Sequence, residues 1–416
     1  MRVSLFVLLS LVLIAPFAPG QTPARANRPA YREQAAAGIS RLQSWYVLDT
    51  GLYQTTGWWN SANAITMLAN YSLATDSRAY MPFFANTLIA AQKTKTGFPN
   101  FLNKYYDDEG WWALAWVGVF DLSKDPKYLT MAESIFDDMA KGWDDTCNGG
   151  IWWSKDKTYK NAIANELFLS VAAHLATRAT DPAKRATYLE WAKKEWQWFD
   201  QSGMINDQHL VNDGLVLQTC KNNQRKTWSY NQGVILGGLV ELNRAAPNPA
   251  LVSTAQTIAN AALTLLTDSG GILKDGCEPR CSEDGVQFKG IFVRNLMALN
   301  DAFPHSRYRL FVDVNADTIW KNSQSPPSPC SIPGRRPSPL PSSISGSPPT
   351  SASRSPPPVC PDHAFGQSWA GPFDAAKAGS QSSALDAFTA AVEMEQKLRQ
   401  NTSTPTPHTK VLKSSN

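Results

Sequence analysis

From Tyr31 to Trp320 the apolar positions recur at three- and four-residue intervals, and the two-residue alternation of half-buried strands is nearly absent. This periodicity predicts twelve helices, at residues 31–49, 60–74, 77–93, 108–122, 126–141, 157–177, 182–200, 228–245, 249–267, 287–302, 305–321 and, after an interruption, 381–399. Asp125-Pro126 and Asp181-Pro182 mark two of the starts. Each sets a capping carboxylate before a proline whose missing N–H the first turn does not need. "GVILGGLVEL" is apolar on most faces and suits an interior ring, whereas "YLEWAKKEWQWF" keeps a charged face for solvent.

A slower regularity overlies the helices. Every other one is approached through an aromatic or glycine-rich stretch: "TGWWNSANA", "YYDDEGWW", "NGGIWWSKD", "RKTWSYNQG", "DGVQFKGIF". The spacing is too uneven for a solenoid of fixed period, but helical hairpins repeat. Six inner and six outer helices closing into a barrel satisfy both patterns, with the aromatic lead-in loops gathered at one end. Residues 323–359 break the order, being dominated by Pro and Ser, and predict a disordered insert. The barrel then occupies 21–322 and 360–400, and 401–416 form a disordered tail lacking the hydrophobic run of a lipid-anchor signal. "MRVSLFVLLSLVLIAPFAPG" has the basic start, short apolar run and small-residue exit of a secretory signal peptide, residues 1–20.

Composition narrows the function. Of 416 residues 18% are charged and the net charge is +4, which gives no electrostatic case for a nucleic-acid partner. Fifteen tryptophans are many, and their broad faces suit sugar rings as well as cores. Six cysteines fit an oxidising compartment, with Cys277–Cys281 and Cys330–Cys360 the expected disulfides. No spacing supports a zinc site, and no metal or cofactor is implied. Asn70 and Asn401 open glycosylation sequons.

The chemistry concentrates in "KYYDDEGWWALAW". Asp107 and Asp108 stand among tyrosines and tryptophans, where an unpaired carboxylate is costly. At a helix mouth the two can converge on one group. The helix N-terminus keeps one of them ionised, while crowding raises the pKa of the other. Carboxyls split in this way are what glycosidic cleavage needs. Helix capping is the plainer role for either one, and Asp144-Asp145 in "GWDDTCNGGIWW" has the same character, so composition does not choose between the pairs.

Together with "WDDTCNGGIWWSKDKTYKNAIANELF", "TWSYNQGVILGGL", "QFKGIFVRNL" and "FGQSWAGPFD", the first motif resembles glycoside hydrolase family 76, the endo-α-1,6-mannanases. The resemblance runs in order from about residue 31 to 399. It implies an all-α (α/α)6 barrel of six helical hairpins and a retaining mechanism, with Asp107 as nucleophile and Asp108 as general acid/base. Asp144, Asp145, Asn165, Tyr230 and Gln232 become candidates for binding sugar hydroxyls, and Trp58, Trp59, Trp111, Trp112, Trp152 and Trp153 for stacking. The expectation is a secreted, monomeric hydrolase without a membrane anchor, acting inside α-1,6-mannan or mannoprotein glycans. The alternatives are a transglycosidase that moves such glycans onto cell-wall glucan and an inactive wall-binding protein.

Overall fold

The computed structural model describes residues 30–93, 95, 97–329, 359–360 and 362–403. Twelve α-helices form among them: α1 Tyr31–Gln43, α2 Trp58–Thr75, α3 Met81–Ala90, α4 Tyr106–Ser123, α5 Pro126–Met139, α6 Ala162–Arg178, α7 Pro182–Gln201, α8 Ser229–Ala245, α9 Pro249–Leu265, α10 Phe288–Ala302, α11 Ser306–Asn322 and α12 Ala378–Ser403. The two Asp-Pro starts cap as the sequence implies. Asp125 accepts the N–H of Lys127 at 3.2 Å and Asp181 that of Ala183 at 2.8 Å.

The even-numbered helices form the inner ring. α2, α4, α6, α8, α10 and α12 each pack on the next, and α12 returns to α2, which closes an (α/α)6 barrel. Ring closure demands close approach. A Cβ on Gly233 of α8 would lie 2.6 Å from the Phe292 Cα of α10, and one on Gly290 of α10 would lie 2.5 Å from the Ser383 Cα of α12. α6 buries nearly every residue from Ala162 to Ala176, whereas outer α7 buries only Tyr188, Ala192, Glu195, Trp198 and Phe199. Inside the ring Arg294 pairs with Asp386 at 3.1 Å, so neither buried charge is left alone.

Except before α4, the lead-ins share one repeated device. After α5, α7, α9 and α11 the chain makes a single antiparallel bridge, Trp143↔Ile151, Ile205↔Val211, Thr267↔Leu273 and Gln324↔Phe365. After α1 it makes a short hairpin, β1 Tyr46–Val47 with β2 Leu52–Tyr53. A buried side chain then accepts the N–H of the returning strand. Asn165 takes Ile151, Gln232 takes Val211 and Gln381 takes Phe365, each at 2.7 Å, while Ser61 takes Tyr53 at 3.2 Å. These bonds aim each loop at the N-terminal mouth of the inner ring.

Several boundaries differ from the periodicity, among them those of α3, which runs from Met81 to Ala90 rather than over 77–93, and three of the differences bear on the site. α1 stops at Gln43 rather than 49, because the chain turns at Gly51, whose φ of +66° and contact with Thr87 exclude a side chain. α6 starts at Ala162 rather than 157, capped by Asn161, whose Oδ1 accepts the Ala164 N–H at 3.3 Å. α4 starts at Tyr106, two residues early, so both aspartates lie within its first turn.

Disulfides join Cys277 to Cys281, as expected, and Cys147 to Cys220, a pair the spacing did not single out. Cys330 lies outside the described residues, as do the expected signal peptide, most of the Pro/Ser insert and most of the tail. The insert's flanks meet as an antiparallel pair, β5 Ser328–Pro329 with β6 Val359–Cys360. Among the described residues no helix is long and apolar enough to cross a membrane.

Candidate active site

The N-termini of the inner helices converge on a cavity of about 590 Å³ lined by Trp59, Tyr105, Asp107, Asp108, Trp111, Trp153, Tyr159, Asn161, Asp213, Arg225, Tyr230, Asp284 and Phe288. One wall is aromatic. Tyr230 stacks on Phe288 at 3.8 Å between centroids, and Trp111 stacks on Trp59 at 5.5 Å. The other wall is polar, built from the loops that carry Tyr159, Asn161, Asp213 and Arg225. Helix N-termini face the cavity and stabilise negative charge there. Four carboxyls line it against one guanidinium.

Asp107 and Asp108 occupy the second and third positions of α4. Neither caps it, since the N-cap is Tyr105, which provides no side-chain bond. Their side chains leave the helix about 100° apart. They still share one cavity, because it wraps around the helix end. The indole N–H of Trp153 donates to Asp107 Oδ2 at 3.0 Å, and the Asn103 amide donates to Asp108 Oδ2 at 2.7 Å. Asp107 Oδ1 is buried and has no hydrogen-bond partner.

Both carboxyls keep some exposure, but to an aromatic-walled space rather than open solvent. That desolvation raises both pKa values. Asp107 is pushed well up by burial and then by the charge of Asp108, with the Trp153 bond opposing. Asp108 is pushed up to about 7 by burial, with the Asn103 bond opposing and the charge of Asp284 adding. At neutral pH the pair therefore holds protons that free carboxylates would have lost.

A supporting layer fixes the mouth of α4. Fully buried Glu109 accepts the Asn103 N–H at 3.0 Å and the Lys155 ammonium at 2.8 Å, so the loop that bears Asn103 is tied to the helix it serves. Burial pushes Glu109 up to about 8 despite Lys155. The ionic partner of Lys155 is instead Asp138, 2.7 Å away, whose pKa falls because its bonds to Lys155 and Lys141 outweigh its desolvation.

The second acidic pair is placed otherwise. Asp145 is exposed and lines no wall of the cavity. Asp144 accepts from the Trp152 indole at 2.7 Å and from Lys160 at 3.1 Å. These bonds overcome its desolvation and hold its carboxyl well below the usual range. Lys160 is fully buried, its ammonium caged by the carbonyls of Asp144, Thr146, Gly149 and Gly150 and placed over the Trp152 ring. That arrangement folds a loop.

Of the other expected sugar-binding residues, Trp59, Trp111, Trp153 and Tyr230 line the cavity. Trp112 does not, being fully buried against Phe101, Trp58 and Trp116. Trp58 packs on Phe98, and Trp152 is spent on Asp144 and Lys160. Asn165 and Gln232 are fully buried backbone braces, Asn165 also donating to Ile151 O and Gln232 to Val211 O. The sequence reading missed Asn103, Tyr159, Asp213, Arg225 and Asp284. Tyr159 donates to Asp213 at 2.6 Å, and Trp59 donates to Asp284 at 2.9 Å. Asp284 could have been noticed, because it opens the "DGVQFKGIF" lead-in.

Known proteins resemble the chain in sequence and in fold. The chain is 28% identical over 262 residues to mannan endo-1,6-alpha-mannosidase DCW1 of Candida albicans, an alignment covering 58% of this chain and 57% of that protein. It is 26% identical to DCW1 of Saccharomyces cerevisiae, covering 63% of this chain and 62% of that one. The chain thus spans about three fifths of the curated relatives it matches. An α-1,6-mannanase of a Salegentibacter species, inactive through replacement of two consecutive aspartates by alanine and in complex with α-1,6-mannotetrose, superposes with a TM-score of 0.72 at 21% identity, covering 88% of this chain and 99% of that one. Dfg5 of Chaetomium thermophilum, in complex with glucosamine, superposes with a TM-score of 0.69 at 20% identity, covering 88% and 90%. The model of glycosyl hydrolase family 76 matches residues 46–403, and the chain belongs to that family.

Proposed function

We propose that the protein cleaves internal α-1,6-mannosidic bonds with net retention, Asp107 acting as nucleophile and Asp108 as general acid and then base. The observation that carries this reading is the pairing of two adjacent, incompletely neutralised carboxyls with aromatic walls in one cavity. Attack on the anomeric carbon needs Asp107 ionised and a proton ready for the leaving oxygen; both carboxyls are pushed up and coupled, Asp107 the further, so the reactive form is the one in which the proton the pair shares sits on Asp108. Water then resolves the mannosyl ester as Asp108 takes its proton. The excess of carboxyls favours a neutral glycan over polyanions, and the aromatic wall offers faces to pyranose rings. The two disulfides fit an extracellular or cell-wall location.

A second reading, transfer of the mannosyl chain to wall glucan, shares the covalent step and differs only in the acceptor. Dfg5 of Chaetomium thermophilum, similar in fold, is seen with glucosamine, a sugar other than mannose, which keeps open an acceptor that is not mannan. Incubation with linear α-1,6-mannan, followed by NMR of the first-formed anomer, tests the main reading. An α-configured reducing end that is lost in Asp107→Asn supports it, and a β product or undiminished activity of that variant overturns it. Product mass with and without added glucan separates hydrolysis from transfer.

A further inference from the structure

Trp153 and its neighbour divide the two acidic pairs between them. The Trp152 indole N–H goes to Asp144 Oδ2 at 2.7 Å, and the Trp153 indole N–H goes to Asp107 Oδ2 at 3.0 Å. The Trp153 backbone is pinned on both sides, its N–H donating to Tyr159 O at 2.8 Å and its carbonyl accepting from Tyr106 N at 3.0 Å. Its ring packs against Tyr105 at 4.8 Å and edge-on to Tyr159 at 6.4 Å, so part of its surface is already covered by protein. The bond from Tyr106, first residue of α4, ties this tryptophan to the helix that carries Asp107.

We propose that Trp153 is the positioning residue of Asp107, serving the reaction through its indole N–H rather than as a stacking platform for sugar. The proposal rests on Asp107 being the nucleophile. Asp107 Oδ1 is buried, so Oδ2 is the oxygen that meets the anomeric carbon, and Trp153 fixes its direction. In the first step the Oδ2–C1 bond forms as the bond from C1 to the glycosidic oxygen breaks, and Asp108 supplies the leaving group's proton. In the second, water bonds to C1 and gives its proton to Asp108, while the Oδ2–C1 bond breaks and Oδ2 regains its electron pair. The N–H stabilises charge on Oδ2 before the first step and again as it departs in the second. A charge-assisted bond of this kind is among the stronger ones in proteins.

Trp153→Phe keeps a ring and removes the donor. It is expected to lower kcat about 10- to 100-fold while KM for α-1,6-mannan changes less than about threefold. Without the donor Asp107 holds its proton more tightly, so the acid limb of kcat/KM moves to higher pH. β-(3-benzothienyl)alanine at position 153, which preserves the indole's shape but not its N–H, should reproduce both effects. Carboxyl 13C NMR of aspartate-labelled protein, with the Asp107 signal assigned by Asp107→Asn, reads the same pKa rise without turnover. A raised KM with unchanged kcat and unchanged acid limb would leave Trp153 a stacking platform. No change in the Asp107 titration overturns the proposal even if the mannanase reading stands, and a wild type inert towards mannan overturns that reading while the NMR still reports on the bond.

Discussion

Two Asp-Asp pairs, each followed within eight residues by a Trp-Trp pair, look alike in the sequence and meet opposite fates in the fold. Asp144 is answered by a buried ammonium, an indole and a backbone N–H, and its pKa falls. Asp107 and Asp108 receive one neutral side-chain donor each, face a shared cavity, and their pKa values rise. The difference is made by Lys160, sixteen residues beyond Asp144, for which the first pair has no counterpart among its hydrogen-bond donors. A carboxylate completely neutralised shapes a loop. One left short of partners inside an aromatic wall is available to react.

The largest expected break in this contrast is at the first pair. Asp107→Asn and Asp108→Asn should each lower kcat/KM on mannan by more than about 10³-fold, while Asp145→Asn changes it less than about fivefold. Comparable losses at Asp145 would erase the distinction. Next, Lys160→Met removes the cage's cation and strands Asp144 with several buried carbonyls. Each buried carbonyl left without its donor costs about 1–3 kcal/mol, and the thermal midpoint should fall by on the order of 10 °C. A midpoint within a degree of wild type would contradict the cage.

Asn103→Ala should lower kcat/KM about tenfold and move its alkaline limb. Asn103 favours the charged form of Asp108, so its removal raises the Asp108 pKa above about 7, and the acid survives to higher pH. An alkaline limb that stays put would show that Asn103 does not govern this proton. The smallest effect is on stability. Between an unfolded pKa of about 3.9 and a folded one of about 7, the unfolded chain has lost the Asp108 proton while the folded chain retains it, so this group's contribution to stability falls as pH rises through that window. Asp108→Asn should therefore raise the thermal midpoint by a few degrees at pH 8 and by less at pH 5. Equal shifts at both pH values would place the burial strain elsewhere.

Helix positions were legible because ring packing imposes a 3.6-residue period on nearly every inner helix, and Asp-Pro caps mark two of the outer ones. Helix ends within the lead-in loops were not, since Asn161 and Gly51 act through tertiary contacts that periodicity does not carry. The pair proposed to react was singled out by its resemblance to a family motif, but its preference over Asp144-Asp145 could not be read from local composition, because Lys160 acts across a folded loop. Tryptophan misled for a related reason. Trp112 and Trp111 are neighbours of equal polarity, yet the helix turns one into the core and the other towards the cavity. Asn165 and Gln232 look like sugar ligands because an amide that imitates a strand's hydrogen bonding has the same chemistry as one that binds hydroxyls. Asp213 and Tyr159 went unnoticed, being 54 residues apart and brought together only by the loops that Cys147–Cys220 fastens.

The central claim, that Asp107 rather than either member of the second pair bonds to the sugar, is tested most directly by covalent trapping. The protein is incubated with an activated fluoro-mannosyl donor, whose ester with a retaining nucleophile turns over slowly, then digested, and the labelled peptide is sequenced by mass spectrometry. Label on Asp107, absent in Asp107→Asn, is the predicted result. Label on Asp144 or Asp145, or label undiminished in that variant, would contradict the account.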